Sequence, residues 1–210
     1  MVMVAISMTD APALAGAVAA GTEERIRTAA LACIARTGIT RTTVDDVARE
    51  AGVSRATLYR AFPGGKDVLV EAVLGREVHR FFVELSAELA RHHDAEGLLV
   101  AGVGSSLRFL TTHPALRAVL ALEPGLLLSQ VAFHRLGPIL DAAAAFAAPY
   151  LRAHVRADHP DPHAAATEVA ELLVRVVLTY ALQPTRRVDP HDLATITRLV
   201  RQHLLPALTA

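Results

Sequence analysis

The sequence predicts an all-α protein: a small N-terminal unit of three helices followed by a larger helical unit. Apolar residues recur at i, i+3, i+4 and i+7 along most of the chain, the period of a helix with one buried face. Cap residues, glycines and prolines separate these stripes at intervals of one helix length. The apolar content is 52% with only 4% aromatics, so the core is Ala, Leu and Val, and mean hydropathy is positive. That last value calls for a membrane test. No uncharged apolar run reaches the ~20 residues needed to cross a bilayer, and the most apolar stretch, 169–180, is interrupted by Glu171 and Arg175.

Residues 1–21 are Ala-rich, contain Pro12 and Gly16, and carry no Lys or Arg. They lack the basic n-region of a signal peptide and read as a mobile tail without the charge to track a nucleic-acid groove. Helix one spans 22–38. Thr22 is its cap, Glu23 and Glu24 favour its first turn, Ile26, Ala29, Ala30, Cys33 and Ile34 form its stripe, and Gly38 ends it. The single Cys33 excludes an intrachain disulfide and suits a reducing, cytoplasmic setting. It reads as a small core residue sooner than as a redox sensor.

The segment 43–66 organises the rest. Thr43 and Asp46 have the spacing of a capping box, and Val44, Val47, Ala48 and Ala51 follow at helical intervals. Gly52 stands where the chain turns, Val53 plugs the corner, and Ser54 caps a second short helix, 55–60. Leu58 points inward, and Arg55, Thr57, Tyr59 and Arg60 are left outside. This is the layout of a helix-turn-helix, whose second helix enters the DNA major groove. Gly65 and Lys66 hint at a phosphate loop, but Arg60 and Asp67 stand where that motif requires Gly and Ser or Thr.

At these residues the chain resembles the N-terminal domain of the TetR family of bacterial transcriptional repressors. The likeness rests on Thr42, Thr43, Val44, Val47, Ala48, Ala51, Gly52, Val53, Ser54, Thr57, Leu58, Tyr59, Phe62, Lys66 and Leu69, and runs from about residue 23 to 74. Ala56 stands where many members have Gly, and Arg60 where many have an aromatic or His. The first keeps the position small; the second adds a long donor that would alter the operator read. The resemblance implies a helix-turn-helix domain over 22–68, with the motif at about 43–62, and an effector-binding and dimerisation domain over 69–210.

The expected DNA contacts divide by chemistry. Thr43, Ser54, Tyr59 and Lys66 suit phosphates, which set register, whereas Arg55, Thr57 and Arg60 face bases. Packing within the small domain is the alternative for Thr57, Tyr59 and Arg60, and a solvated surface role for Lys66. Net charge is zero overall, but residues 22–68 carry eight Lys/Arg against six Asp/Glu, a weak basic bias that suits DNA.

A long helix opens at Lys66 and runs to about 92, carrying Val78, Phe81, Phe82 and Leu85 into the larger unit. The next spans 94–112, with Gly97, Gly102 and Gly104 leaving room for close approach or a ligand. His113 and Pro114 start a short helix that ends at Glu123, and 126–158 reads as long and helical with Pro138 marking a kink or junction. Asp161 and Pro162 open a helix ending at Leu182, apolar on two faces. Asp189 and Pro190 open the last one, with Leu193, Ile196, Leu199, Val200 and Leu204 as its stripe. The final pair, 162–182 and 190–205, would form a four-helix bundle with a second copy. An apolar effector such as an acyl chain, sterol or aromatic would sit among Phe82, Leu107, Phe109, Phe133, Phe146 and Tyr150, which also suit plain core packing.

Other functions find less support. Ser105, Ser106 and His113 occur without the nucleophile elbow or zinc-helix pattern of a hydrolase. His92 and His93 diverge on a helix, and His159 and His163 are separated by prolines, so no metal or other cofactor is expected. A helical lipid-binding module without a DNA role is the remaining alternative.

Overall fold

A computed structural model of the chain describes residues 11–127, 136–183, 185, 189 and 191–209. The elements are α-helical throughout: α1 Ala11–Arg41, α2 Val44–Ala51, α3 Arg55–Ala61, α4 Lys66–Leu89, α5 Ala95–Thr112, α6 Pro114–Leu122, α7 Pro124–Leu127, α8 Leu136–Arg152, α9 Pro162–Leu182, α10 Leu193–Leu199, a π turn Val200–Leu204, and α11 Leu205–Thr209. Among the described residues no helix is long and apolar enough to cross a membrane.

The N-terminal core is built from one stripe per helix. Ile26, Ala29, Ala30 and Cys33 of α1 meet Val47 and Ala48 of α2, Leu58 and Phe62 at α3, and Leu69 and Val73 of α4. Burial of Cys33 pushes its thiol above the ordinary range, which makes it a poor nucleophile. The guanidinium of Arg27 lies 5.4 Å from the centre of the Phe62 ring, closing the edge of this core by a cation–π contact.

The larger core joins Leu99, Val103 and Leu107 of α5 with Ala144, Ala148 and Leu151 of α8. To these α9 adds Ala166, Val169, Ala170, Leu173 and Val177, and the last helices add Ile196, Val200 and Leu204. Alanines on both α8 and α9 let the two axes approach closely. A third cluster, Leu85, Leu89, Leu98 and Ala101, is roofed by Phe81, Phe82, Phe146 and Tyr150. Between the N-terminal and larger cores, α6 lies along α1 through Ile34, Ala115 and Val119.

The structure corrects several expected boundaries. The tail expected over 1–21 is helical in its second half, because α1 starts at Ala11; residues 1–10 lie outside the described residues. Alanine has the highest helix propensity, and Pro12 falls in the first turn, where a missing N–H costs little. The expected long helix 126–158 is cut short, since α8 ends at Arg152; residues 128–135 lie outside the described residues. Helix α4 stops at Leu89, and Val78 faces solvent. The last helix is capped by Asp192, whose carboxylate accepts from Ala194 N and Thr195 N at 3.1 and 3.2 Å. Asp189 instead accepts from His191 N at 2.8 Å, one turn earlier, and Pro190 lies outside the described residues. Leu193, expected on the last stripe, is 66% exposed. A Cβ at Gly102 or Gly104 would make only ordinary contacts, so helix approach does not demand glycine there.

Candidate nucleic-acid interface

The interface is built from two caps and one turn. Thr43 Oγ1 accepts from Asp46 N at 3.2 Å while the Asp46 carboxylate accepts from Thr43 N at 3.2 Å, a complete capping box. Hydrogen bonds from the Thr43 side chain and backbone hold the Asp46 carboxyl below its usual range. Helix α2 ends at Gly52, whose φ of 64° and ψ of 37° are left-handed, and Val53 N then returns to Ala48 O at 3.0 Å. A side chain at Gly52 would be strained by its own backbone. Ser54 Oγ accepts from Thr57 N at 3.1 Å and starts α3.

Leu58, wholly buried, fixes which way α3 faces. Ser54, Arg55, Tyr59 and Arg60 are exposed and Thr57 is half-buried, so these five form one outward surface. Tyr59 is 46% exposed, with its ring lying against Gly65. Ser54 Oγ and Thr57 Oγ1 are 2.9 Å apart, and Arg60 Nη2 donates to Thr57 Oγ1 at 3.4 Å. Arg55 and Lys66 have partners on other elements. Arg55 Nε lies 2.7 Å from Asp45 Oδ1, and Lys66 Nζ donates to Thr40 O at 2.8 Å. Thr43 is exposed at the start of α2 and Lys66 opens α4, so these two lie outside α3. The sequence reading did not single out Asp45 or Thr40; each is separated in sequence from its partner, and nothing in the spacing marks the pair.

The residues named for an effector fall in two places. Phe82 and Phe146 have ring centres 4.6 Å apart, Phe146 and Tyr150 5.5 Å, and Phe81 and Phe82 5.2 Å. Phe109 joins through Phe81 at 4.6 Å and reaches the His113 ring at 5.1 Å. An aromatic row thus runs from α8 across α4 to α5 and ends at His113. A cleft of ≈ 590 Å³ opens beside it, lined by Phe81, Leu85, Phe109 and His113 with Arg80 and Arg108 at the rim. Leu107 is wholly buried in the separate α5–α8–α9 core, and Phe133 lies outside the described residues.

Under the row lies a buried ionic group. The Glu77 side chain accepts from Arg76 Nε at 2.9 Å, and one of its oxygens is 3.2 Å from His113 Nε2. Arg80 approaches the same carboxylate at 3.2 Å, and Arg76 reaches Glu24 and Thr28 of α1 at 2.7 and 3.0 Å. Burial alone would raise the Glu77 pKa, but His113, Arg76 and Arg80 together outweigh it and the carboxyl titrates below its usual range.

Two short capped helices around a left-handed glycine, with the second presenting polar side chains over a buried leucine, define a helix-turn-helix DNA-binding domain. The family described as bacterial regulatory proteins, tetR family, matches residues 26–73, the stretch that holds α2, α3 and their flanks. It is similar to the HTH-type transcriptional regulator SrpR of Pseudomonas putida, 35% identical over 80 residues, which is 38% of this chain and 37% of that protein. The chain spans 26% to 59% of the length of the curated relatives it matches. Solved structures extend the likeness to the whole fold. The TetR family repressor AlkX of Dietzia, implicated in biodegradation of n-alkanes, is 25% identical with a TM-score of 0.58, covering 89% of this chain and 97% of its own. A TetR-family regulator of Pectobacterium atrosepticum superposes with a TM-score of 0.65 at 20% identity, covering 92% and 97%.

Proposed function

We propose that the chain is a cytoplasmic transcriptional repressor that binds a palindromic operator as a homodimer and leaves it when a small apolar effector binds. The outward surface of α3 carries this reading: Ser54, Arg55, Thr57, Tyr59 and Arg60 stand exposed or half-exposed on a helix whose start and facing are fixed by a cap and a buried leucine. Thr43, Ser54, Tyr59 and Lys66 take phosphates. Arg55, Thr57 and Arg60 read bases, an arginine on guanine being worth ~1–3 kcal/mol of discrimination. Arg55 then exchanges its Asp45 partner for DNA. The DNA-binding part extends to about residue 68, and 69–210 holds the effector and the partner copy.

One helix-turn-helix makes few contacts; two related by a two-fold axis read half-sites ~34–36 Å apart or a multiple of it. The surface for the second copy is α9 with the last helices. Along α9, Val169, Leu173 and Val177 are buried within the protomer, but Leu172 is 40% exposed, and Val174, Val176 and Leu178 are half-buried. Leu193 on α10 adds to this uncovered apolar area. Replacing Leu172 and Leu193 together by glutamate is expected to give a folded monomer with little affinity for the full palindrome. Sedimentation and circular dichroism check this; a double variant that stays dimeric moves the interface elsewhere.

For the effector, the row Phe82, Phe109, Phe146 and Tyr150 supplies an apolar, polarisable lining, and the Dietzia repressor's link to n-alkanes points to the same chemistry. A tenfold loss of operator affinity needs ~1.4 kcal/mol of coupling between the two sites.

The test is selection of the preferred duplex from random DNA, followed by a salt titration. Affinity should fall linearly in log[salt], with a slope set by the phosphates contacted. Thr57→Ala and Lys66→Ala should each weaken the selected complex by about tenfold or more, the loss expected of a DNA contact of ~1–3 kcal/mol, with melting nearly unchanged. A protein that selects no sequence would instead fit the lipid-binding alternative, and release of the duplex by apolar compounds would identify the effector class.

A further inference from the structure

The turn between α6 and α7 reaches back to the residue that ends the regular part of α1. Glu123 Oε1 accepts from Thr40 N at 2.7 Å and Glu123 Oε2 accepts from Ile39 N at 3.1 Å. Two successive amides converge on one carboxylate because Gly38 has φ 82° and ψ 174°, which turns the backbone out of the helix and aims both N–H groups the same way, the geometry of an anion nest. The fit is close: a Cβ at Gly38 would stand 2.7 Å from Glu123 Oε1. On its other side Thr40 is held by α4, since Lys66 Nζ donates to its carbonyl at 2.8 Å. Thr43, the cap of the helix-turn-helix, follows three residues later.

We infer that Glu123 is a positioning residue, a latch through which α6 sets the angle of the recognition helix relative to the larger domain. The inference rests on the repressor reading above and names the link that reading lacks. Among the described residues the helix-turn-helix has two attachments to the larger domain. One is covalent, the rod α4, which starts directly after α3. The other is α6 lying on α1, and its polar contact is Glu123. With both engaged the small domain is fixed in two places. With the carboxylate withdrawn, the attachment through α1 weakens at Gly38, a residue whose backbone tolerates rotation.

The other end of α6 touches the aromatic row. His113 caps α6, its Nδ1 accepting from Leu116 N at 3.4 Å, and its ring packs on Phe109. A molecule that parts Phe81 from Phe109 displaces His113, and with it the start of α6. Helix α6 is short, and its Ala115 and Val119 pack on Ile34 of α1, so a shift of α6 is passed to α1. Displacement at His113 therefore reaches Glu123 at the far end.

The experiment uses the full-length dimer, the duplex selected from random DNA, and variants of that duplex with one or two base pairs inserted between half-sites. Glu123→Ala removes both acceptors; Glu123→Gln keeps one and is the conservative control. Wild type should discriminate against altered spacing by about tenfold or more, matching a coupling of the usual allosteric size. Glu123→Ala should lose most of that discrimination, and Glu123→Gln should recover part of it. Hydrogen exchange at the amides of Ile39 and Thr40 should speed up in Glu123→Ala by about tenfold through local opening, with the exchange of the α9 amides unchanged. Unaltered spacing discrimination in Glu123→Ala, or unaltered exchange at Ile39 and Thr40, overturns the latch while leaving the repressor reading intact. Failure of wild type to select any duplex overturns both. Should Glu123→Ala melt near room temperature, the same comparison between Glu123→Gln and wild type decides, with equal discrimination and equal exchange counting against the latch.

Discussion

Glu77→Ala is expected to destabilise the protein by about 3 kcal/mol, the lower end of the cost of removing one partner from a buried ion pair. The Glu77 side chain is 6% exposed, and so is that of His113 against it. Its removal leaves the imidazole buried without its acceptor. The cost stays at the lower end because Arg76 keeps Glu24 and Thr28 on α1, and Arg80 retains Glu84. Glu77→Gln preserves the shape and one acceptor and should cost less. A pH dependence separates the two contributions. The folded-state pKa of Glu77 is lowered, so the unfolded chain binds the proton more readily. The resulting stability is fully present above the unfolded carboxylate value of ~4.3 and is lost as pH falls through the folded value. Melting temperature of wild type should therefore drop on acidification from about pH 5 downward, and the drop should be smaller in Glu77→Gln. Other carboxyls, among them Asp46 and Glu50, are lowered too, so the difference between the two proteins is the quantity to read. Parallel curves would show that Glu77 contributes no net linkage.

That network also marks the boundary of what the sequence discloses. Helix ends set by contacts three residues apart are legible. Thr43 with Asp46, Ser54 with Thr57 and Asp161 with Ala164 each satisfy amides that every helix leaves unpaired, and the structure has these bonds. The helix-turn-helix was therefore readable residue by residue, as was α9 from its Asp161–Pro162 start to its Gln183 stop. Competing caps were harder. Asp189 and Asp192 both precede the last stripe, and local chemistry alone does not choose between them; the packing of Ile196 and Leu199 does. Pairings between residues ten or more positions apart left no trace. Glu77 and His113 lie on different helices, and so do Arg55 and Asp45. Glu123 looked like a helix terminator because the amides it holds belong to residues 39 and 40. Phe82, Phe109, Phe146 and Tyr150 do lie along one aromatic row, but Leu107 shares α5 with Phe109 without sharing its face. Helix α1 shows the opposite failure: the cap signal at Thr22 was read as a start, whereas an alanine-rich run continues helically through a cap-type residue when nothing stops it.

Leu58→Ala is expected to cost about 2–5 kcal/mol, the range for truncating a wholly buried leucine, and to weaken binding of the selected duplex by loosening the small core. Leu58 has no exposed surface and is the buried residue of α3 itself. It packs in the cluster that α1, α2 and α4 share. Truncation leaves a cavity beneath α3, which is too short at seven residues to hold its shape by propensity alone. The pairing with Thr57→Ala is what gives the prediction its force. The two positions are adjacent, one facing inward and the other half-exposed outward. If α3 is a recognition helix, Thr57→Ala weakens binding with the urea midpoint preserved, whereas Leu58→Ala lowers the midpoint and weakens binding only as much as the folded fraction and its altered facing require. Adding excess selected duplex should restore part of the lost midpoint in Leu58→Ala, because a ligand that binds only the folded form stabilises it by mass action. Equal urea midpoints for Leu58→Ala and wild type would mean that the leucine does not anchor α3. The outward presentation of Arg55, Thr57 and Tyr59 would then have no structural cause.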